Sequence, residues 1–209
     1  MISLDIQLNP RQVADINRRC DGIISPTQRD AAIKRAAKRA ADAAKTETKR
    51  QLTSLYTLPS GMVGATISSR MNQGAGATMK ISAGVNPLPD FKGVSPKAPV
   101  KKPVGVAVSV KQGSGGSLPQ SFTAQMPSGH IGVFTRTPGK KMRRAMRQNA
   151  TYAQQAVKSH GRDAIKEQYG PATSGMFKAN PDVNDPVVEK AMETFEKRVE
   201  HEIGRILNK

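Results

Sequence analysis

The segment "SPTQRDAAIKRAAKRAADAAKTETKRQLTSLYTL", Ser25 to Leu58, constrains the fold more than any other. Ile33, Ala37, Ala40, Ala44, Leu52 and Leu55 recur at the helical period and predict one long helix. Ala is the strongest helix former, and a narrow Ala stripe lets a neighbour approach closely. Ser25, Pro26 and Gln28 form a start signal: a capping hydroxyl, a proline at the first helical position and an amide three residues on. Pro59 and Gly61 read as the stop. The segment carries Arg29, Lys34, Arg35, Lys38, Arg39, Lys45, Lys49 and Arg50 against Asp30, Asp42 and Glu47. Most of these cations cannot enter a core, so the exposed face is expected to be positive.

Elsewhere the period changes. "ISLDIQL" alternates Ile2, Leu4, Ile6 and Leu8 and predicts a short strand. A short helix is expected next, with Asn9, Pro10 and Gln12 as its start and Gly22 as its end. After the long helix, "MVGATISSRM", "GATMKISAGV" and "VGVAVSVKQ" alternate and read as strands, with "NQGAG" turning between the first two. "NPLPDFKGVSPKAPVKKP", Asn86 to Pro103, is rich in Pro and reads as an extended loop or arm. "QGSGGS" reads as a flexible tip, and "SFTAQM" and "HIGVFTR" pair across "PSG" as a hairpin. "NATYAQQAVKSHGR" looks helical. Asn180 to Pro186 reads as loop, with Asp185 capping a last helix that begins at Pro186 and buries Val188, Met192, Phe195, Val199 and Ile206. The expected architecture is a single α+β domain over 1–209: a small, mainly antiparallel sheet flanked by a long N-terminal helix and a C-terminal helix, with extended loops.

The core must be assembled from small residues. Of 209 residues 37% are apolar and 4% aromatic, with no Trp, so part of the stability is expected from neighbouring subunits. The formal charge is +17 and the isoelectric point about 10.4, which favours polyanionic partners such as nucleic acid or an acidic protein surface. The charge is uneven, since Asp185 to Lys209 is slightly acidic. One cysteine, Cys20, allows no disulfide within the chain. "MISLDIQLNPRQ" lacks the cationic start and apolar run of a signal peptide, and no run is long enough to cross a bilayer, so no membrane partner is expected.

Chemistry-bearing patterns are sparse. His130, His160 and His201 are scattered without metal-ligand spacing, and Cys20 has no His partner. No Gly-x-Ser-x-Gly elbow occurs, and "GSGGSLP" lacks the Lys-Ser/Thr of a phosphate loop. No catalytic, cofactor-binding or metal-binding residue is assigned, and an enzyme is not expected. Zinc-finger, RNP and KH patterns are also missing, which leaves charge suited to backbone contact.

"FTAQMPSGHIGVFTR", with Phe122, Thr123, Ala124, Met126, Ser128, Gly129, His130, Gly132, Val133, Phe134 and Arg136, resembles phage tail proteins of the minor tail protein Z family. "AIKEQYGPATSGMF" matches the family's later segment through Ile165, Glu167, Tyr169, Gly170, Pro171 and Met176. "KTETKRQL" and "PLPDFKG" are similar too, so the likeness runs in order from about residue 27 to the last helix. Ala164 stands where the family commonly has Pro, and Thr137 to Gly161 looks like an insertion.

The resemblance implies a structural virion protein of the tail or neck, present in the host cytoplasm during assembly. It would be a tail-completion subunit in a ring, commonly sixfold, at the head-proximal end of the tail. Its partners would be copies of itself, tail terminator or tail tube proteins, and head–tail adaptor or stopper proteins. The residues add their own expectations. Gly129 and Gly132 suit a short hairpin. Val133 and Phe134 point to opposite faces, one to the core and one towards a neighbour. His130 and Arg136 satisfy nearby carbonyls or carboxylates. Tyr169, Gly170 and Pro171 close a turn, with the phenol on a buried acceptor. In the insertion, Lys140, Lys141, Arg143, Arg144 and Arg147 are candidate cations facing an acidic partner or packaged DNA. The alternative reading is a standalone basic nucleic-acid-binding protein without sequence specificity.

Overall fold

The computed structural model describes residues 2–7, 14–18, 23–72, 76–96, 105–141 and 163–208. The fold is α+β, with long helices and small antiparallel sheets. The chain forms two compact units, and the described residues make three sheets. The first unit is Met1–Ser54, Ser60–Gly84 and Ala172–Lys209; the second is Leu55–Pro59 and Val85–Pro171.

The first unit holds strands β1 (Ile2–Gln7), β2 (Ile67–Met71) and β3 (Gly76–Ile81), in the order β1-β3-β2. Both pairings are antiparallel, with Ile81 opposite Ile2 on one side and Ile67 on the other. Helix α1 (Pro26–Leu55) begins as the sequence predicts. The Gln28 amide N–H donates to Ser25 Oγ at 3.3 Å, and the Ser25 N–H donates to Gln28 Oε1 at 3.4 Å, a reciprocal cap. Its buried stripe contains Ile33, Ala37, Ala40, Ala44 and Leu52, widened by Ala32, Ala36, Ala41 and Thr48; Leu55 is exposed. Thr48 donates to the Ala44 carbonyl and lies 4.0 Å from Met79 Sδ, which sets α1 against β3.

Several expectations are corrected. The first half of "MVGATISSRM" belongs to a short helix, α2 (Ser60–Ala65), which buries Val63; only the second half is strand. Helix α3 (Thr173–Lys178) buries Met176 and Phe177. Helix α4 (Pro181–Leu207) starts five residues before Pro186, so Pro186 lies inside it. Asn180 and Pro181 offer the same start signal as Asp185 and Pro186. The earlier start also buries Val183 and Val187 on one face a turn apart, which offsets the hydrogen bond Pro186 cannot donate. The buried stripe of α4 is Val183, Val187, Ala191, Phe195, Val199 and Ile203. Val188 is exposed, and Met192 and Ile206 are half-buried. Residues 14–18 are helical, while Asn9, Pro10, Gln12, Gly22 and the "NQGAG" turn lie wholly or partly outside the described residues.

The second unit contains two sheets. One holds β4 (Asn86–Pro87), β8 (Ser121–Gln125), β9 (Ile131–Lys141) and β10 (Asp163–Gly170), in the order β4-β10-β9-β8. The other holds β5 (Gly93–Ser95), β6 (Val106–Ser109) and β7 (Gly116–Leu118) in chain order. Asn86 to Pro96 is therefore not an extended arm. It pairs at both ends, makes a 3-10 turn at Leu88–Asp90, and buries Leu88, Phe91 and Val94. Pro87 lies in a two-residue edge strand, Pro89 in the short turn and Pro96 just past the end of β5. Residues 97–104 lie outside the described set.

Candidate functional site

The residues that carry the family resemblance come together on β8, β9 and β10. Strand β8 turns into β9 through Gly129, whose φ of 85° needs glycine, and Met126 is tied to both sides of the turn. Phe122 pairs with Phe134, Ala124 with Gly132, and Gln125 with Ile131. Across the other side of β9, Arg136 pairs with Ile165, Phe134 with Glu167 and Val133 with Gln168. Side chains two apart on a strand share a face, so Gly132, Phe134 and Arg136 of β9 face the same way as Glu167 and Tyr169 of β10 and Phe122 of β8.

Glu167 is the centre of this face. His130 Nε2 lies 2.6 Å from its Oε1, across 37 residues of sequence, and Tyr169 Oη donates to its Oε2 at 2.7 Å. An ionised carboxylate only accepts, so this contact is a hydrogen bond when His130 Nε2 carries its proton. A Cβ on Gly132 would come within 2.6 Å of Glu167 Oε1 and 2.8 Å of Phe134 Cζ. Glycine at 132 is thus what lets the carboxylate and the Phe134 ring occupy the same strip of sheet. The Tyr169 phenol is held above the usual tyrosine value, first by its hydrogen bond to Glu167, then by partial burial and the carboxylate's charge. Phe122 and Phe134 lie 6.2 Å apart, centroid to centroid, and the Arg136 guanidinium sits 5.3 Å from the Phe122 ring.

The opposite face is packed. Val133, Thr123 and Ser121 are buried, and Thr123 Oγ1 donates to the Pro96 carbonyl at 2.6 Å. Gly170 lies directly on the Phe91 ring, and Asn86 Nδ2 donates to the Pro171 carbonyl at 2.7 Å.

Three sequence expectations change here. Val133 and Phe134 do point to opposite faces, yet both are buried, because the Phe134 ring folds over Gly132 instead of reaching outward. Tyr169 is 49% exposed at the end of β10 and donates to a partly exposed carboxylate, not a buried acceptor. The stretch read as an insertion from Thr137 begins as strand: β9 continues to Lys141, which pairs with Asp163. His130 engages a carboxylate, as expected, whereas Arg136 lies over the Phe122 ring. Lys140 and Lys141 close β9; Arg143, Arg144 and Arg147, with the expected "NATYAQQAVKSHGR" helix, lie outside the described residues. Sequence reasoning missed Glu167 as the hub and Phe91 as the surface under Gly170. The first was signalled by Glu167 and Tyr169 sharing a strand face, the second by apolar Leu88 and Phe91 within a Pro-rich stretch.

This arrangement ties the β8–β9 turn to β10. Both Glu167 oxygens are engaged, and the phenol is a donor. Among the described residues, no three His, Cys, Asp or Glu side chains gather as a metal site. Compared with known proteins, the chain matches no family model, no curated protein and no solved structure.

Proposed function

We propose that this chain is a structural virion protein: a ring-forming tail-completion or neck subunit at the head-proximal end of a phage tail, joining tail to head. One observation supports the reading. The two segments that resemble the minor tail protein Z family lie far apart in sequence, yet interlock on β8, β9 and β10 through Glu167, His130, Gly132 and Tyr169.

On this reading the protein works by shape and interface, without turnover. Its partners are further copies of itself in a sixfold ring, tail terminator or tube proteins, and head–tail adaptor or stopper proteins. The residues between Lys141 and Asp163 include Arg143, Arg144 and Arg147. These cations meet an acidic partner face or the backbone of packaged DNA, which offsets the repulsion between ring copies. The test is to purify mature particles of a phage encoding the chain and count its copies. The expected result is a multiple of six at the neck; absence from the particles rejects the proposal.

A further inference from the structure

The solvent face of α1 carries charge that the neck reading does not use. Lys34, Arg35, Lys38, Arg39, Asp42, Thr46 and Arg50 are its exposed positions between Lys34 and Arg50. None is apolar. The Ala stripe with Ile33 and Leu52 is buried on the other side, so α1 has no free apolar face. Two arginines are occupied: Arg35 Nε donates to Glu202 Oε2 at 2.7 Å, and Arg50 Nη2 to Glu47 Oε1 at 2.6 Å. Lys34 and Lys38 are exposed, Lys45 and Lys49 are half-buried with the Lys49 stem along Gly64, and none of the four makes an ion pair among the described residues. At 100° and 1.5 Å per residue they fall within about 60° of arc and span roughly 22 Å.

We propose that this lysine row docks on the phosphate backbone of duplex DNA. Protein interfaces are anchored by buried aromatic and apolar side chains and are poor in Lys, and this face supplies neither feature of such an anchor. A membrane surface helix needs an apolar side in contact with lipid, and that side of α1 is already buried. Single strands are held by stacking on aromatic rings, and the exposed positions hold none. The major groove of duplex RNA is too narrow and deep for a helix. Duplex DNA remains: a row of roughly 22 Å covers about six base pairs, and an α-helix matches the ~12 Å width of the major groove. Contact through lysine heads alone gives binding without sequence preference. The inference does not rest on the ring reading, because it uses only residues of α1.

The experiment measures binding of the full chain to a fluorescently labelled duplex of mixed sequence across a salt series. Lys34→Gln, Lys38→Gln and Lys45→Gln are combined in one variant; glutamine keeps helix propensity. The control removes the same charge from exposed positions elsewhere: Lys178→Gln, Lys197→Gln and Arg198→Gln. The expected result is a fall of about three in the slope of log affinity against log salt for the α1 variant, with affinity down about tenfold or more. The control keeps the wild-type slope. A loss in the α1 variant no larger than in the control overturns the proposal. If the variant misfolds, acetylation footprinting of the wild-type chain gives the answer. Duplex protects Lys34, Lys38 and Lys45 if the proposal holds; protection by polyglutamate but not by duplex, or by neither, overturns it.

Discussion

Gly132 on β9 and Glu167 on β10 approach so closely that Glu167 Oε1 would lie 2.6 Å from a Cβ at position 132. The same Cβ would meet the Phe134 ring, so neither neighbour can move aside without losing a contact. Gly132→Ala is expected to destabilise the protein by about 1–3 kcal/mol through overpacking. Urea denaturation of the wild type and the variant checks this. An unchanged midpoint would show that the carboxylate and ring yield freely.

Gly170 has the same relation to Phe91, with the ring against the position a Cβ would take. Gly170→Ala is expected to cost about 1–3 kcal/mol in the same assay. Trimming the ring in the double variant Gly170→Ala, Phe91→Leu should recover part of that cost if the clash is its cause. A double variant no more stable than the sum of its parts would argue against the contact.

Tyr169 titrates above the ordinary tyrosine value of 10.0, chiefly because its hydroxyl donates to Glu167. A pKa raised by folding gives stabilisation that is complete below the unfolded value and is lost as pH rises through the folded one. Glu167→Gln should therefore move the Tyr169 ionisation down towards its ordinary range. Ultraviolet titration of the phenolate follows this, with Tyr169→Phe identifying the component. An unmoved titration would remove Glu167 as the cause.

Glu193 is held at about 2 by hydrogen bonds from Lys197 and Lys190 and by their charges. Burial pushes the Glu202 carboxyl up, but the hydrogen bond from Arg35 and the charges of Arg35, Arg205 and His201 together hold it below its ordinary value. Both depressions stabilise the folded chain above pH 4.5, the ordinary carboxylate value, and the effect is lost as pH falls below it, for Glu193 towards about 2. The melting temperature should fall through that window, and less steeply in Glu193→Gln. Parallel curves for wild type and variant would contradict this.

Ser25 and Gln28 cap α1 reciprocally. Ser25→Ala is expected to cost about 1 kcal/mol, and Ser25→Asp should retain most of the stability. Thermal unfolding followed by circular dichroism checks both; equal losses in the two variants would show that the cap is not what matters at this position.

Much of this was legible in the sequence, because local chemistry decides it. The start of α1 follows from Ser25, Pro26 and Gln28, and its buried stripe from the spacing of Ile33, Ala37, Ala40 and Ala44. The β8–β9 hairpin follows from alternation around "PSG", with Gly129 supplying the backbone conformation the turn requires. Strands β1, β3 and β6 alternate as strands must. The α+β class needs no more than these periods.

What the tertiary structure decided are the choices between local signals of equal strength. Asn180-Pro181 and Asp185-Pro186 both announce a helix, and burial of Val183 and Val187 selects the first. Phe195 and Val199 fit two overlapping stripes on α4, and its packing selects the one through Val187, Ala191 and Ile203. The prolines between Asn86 and Pro96 read as an arm until Leu88, Phe91 and Val94 have somewhere to be buried. The Glu167 cluster depends on register: only the pairing of β9 with β10 brings His130 within 2.6 Å of a carboxylate 37 residues away. Period and capping are properties of neighbouring residues along the chain, whereas register and burial depend on which surfaces meet.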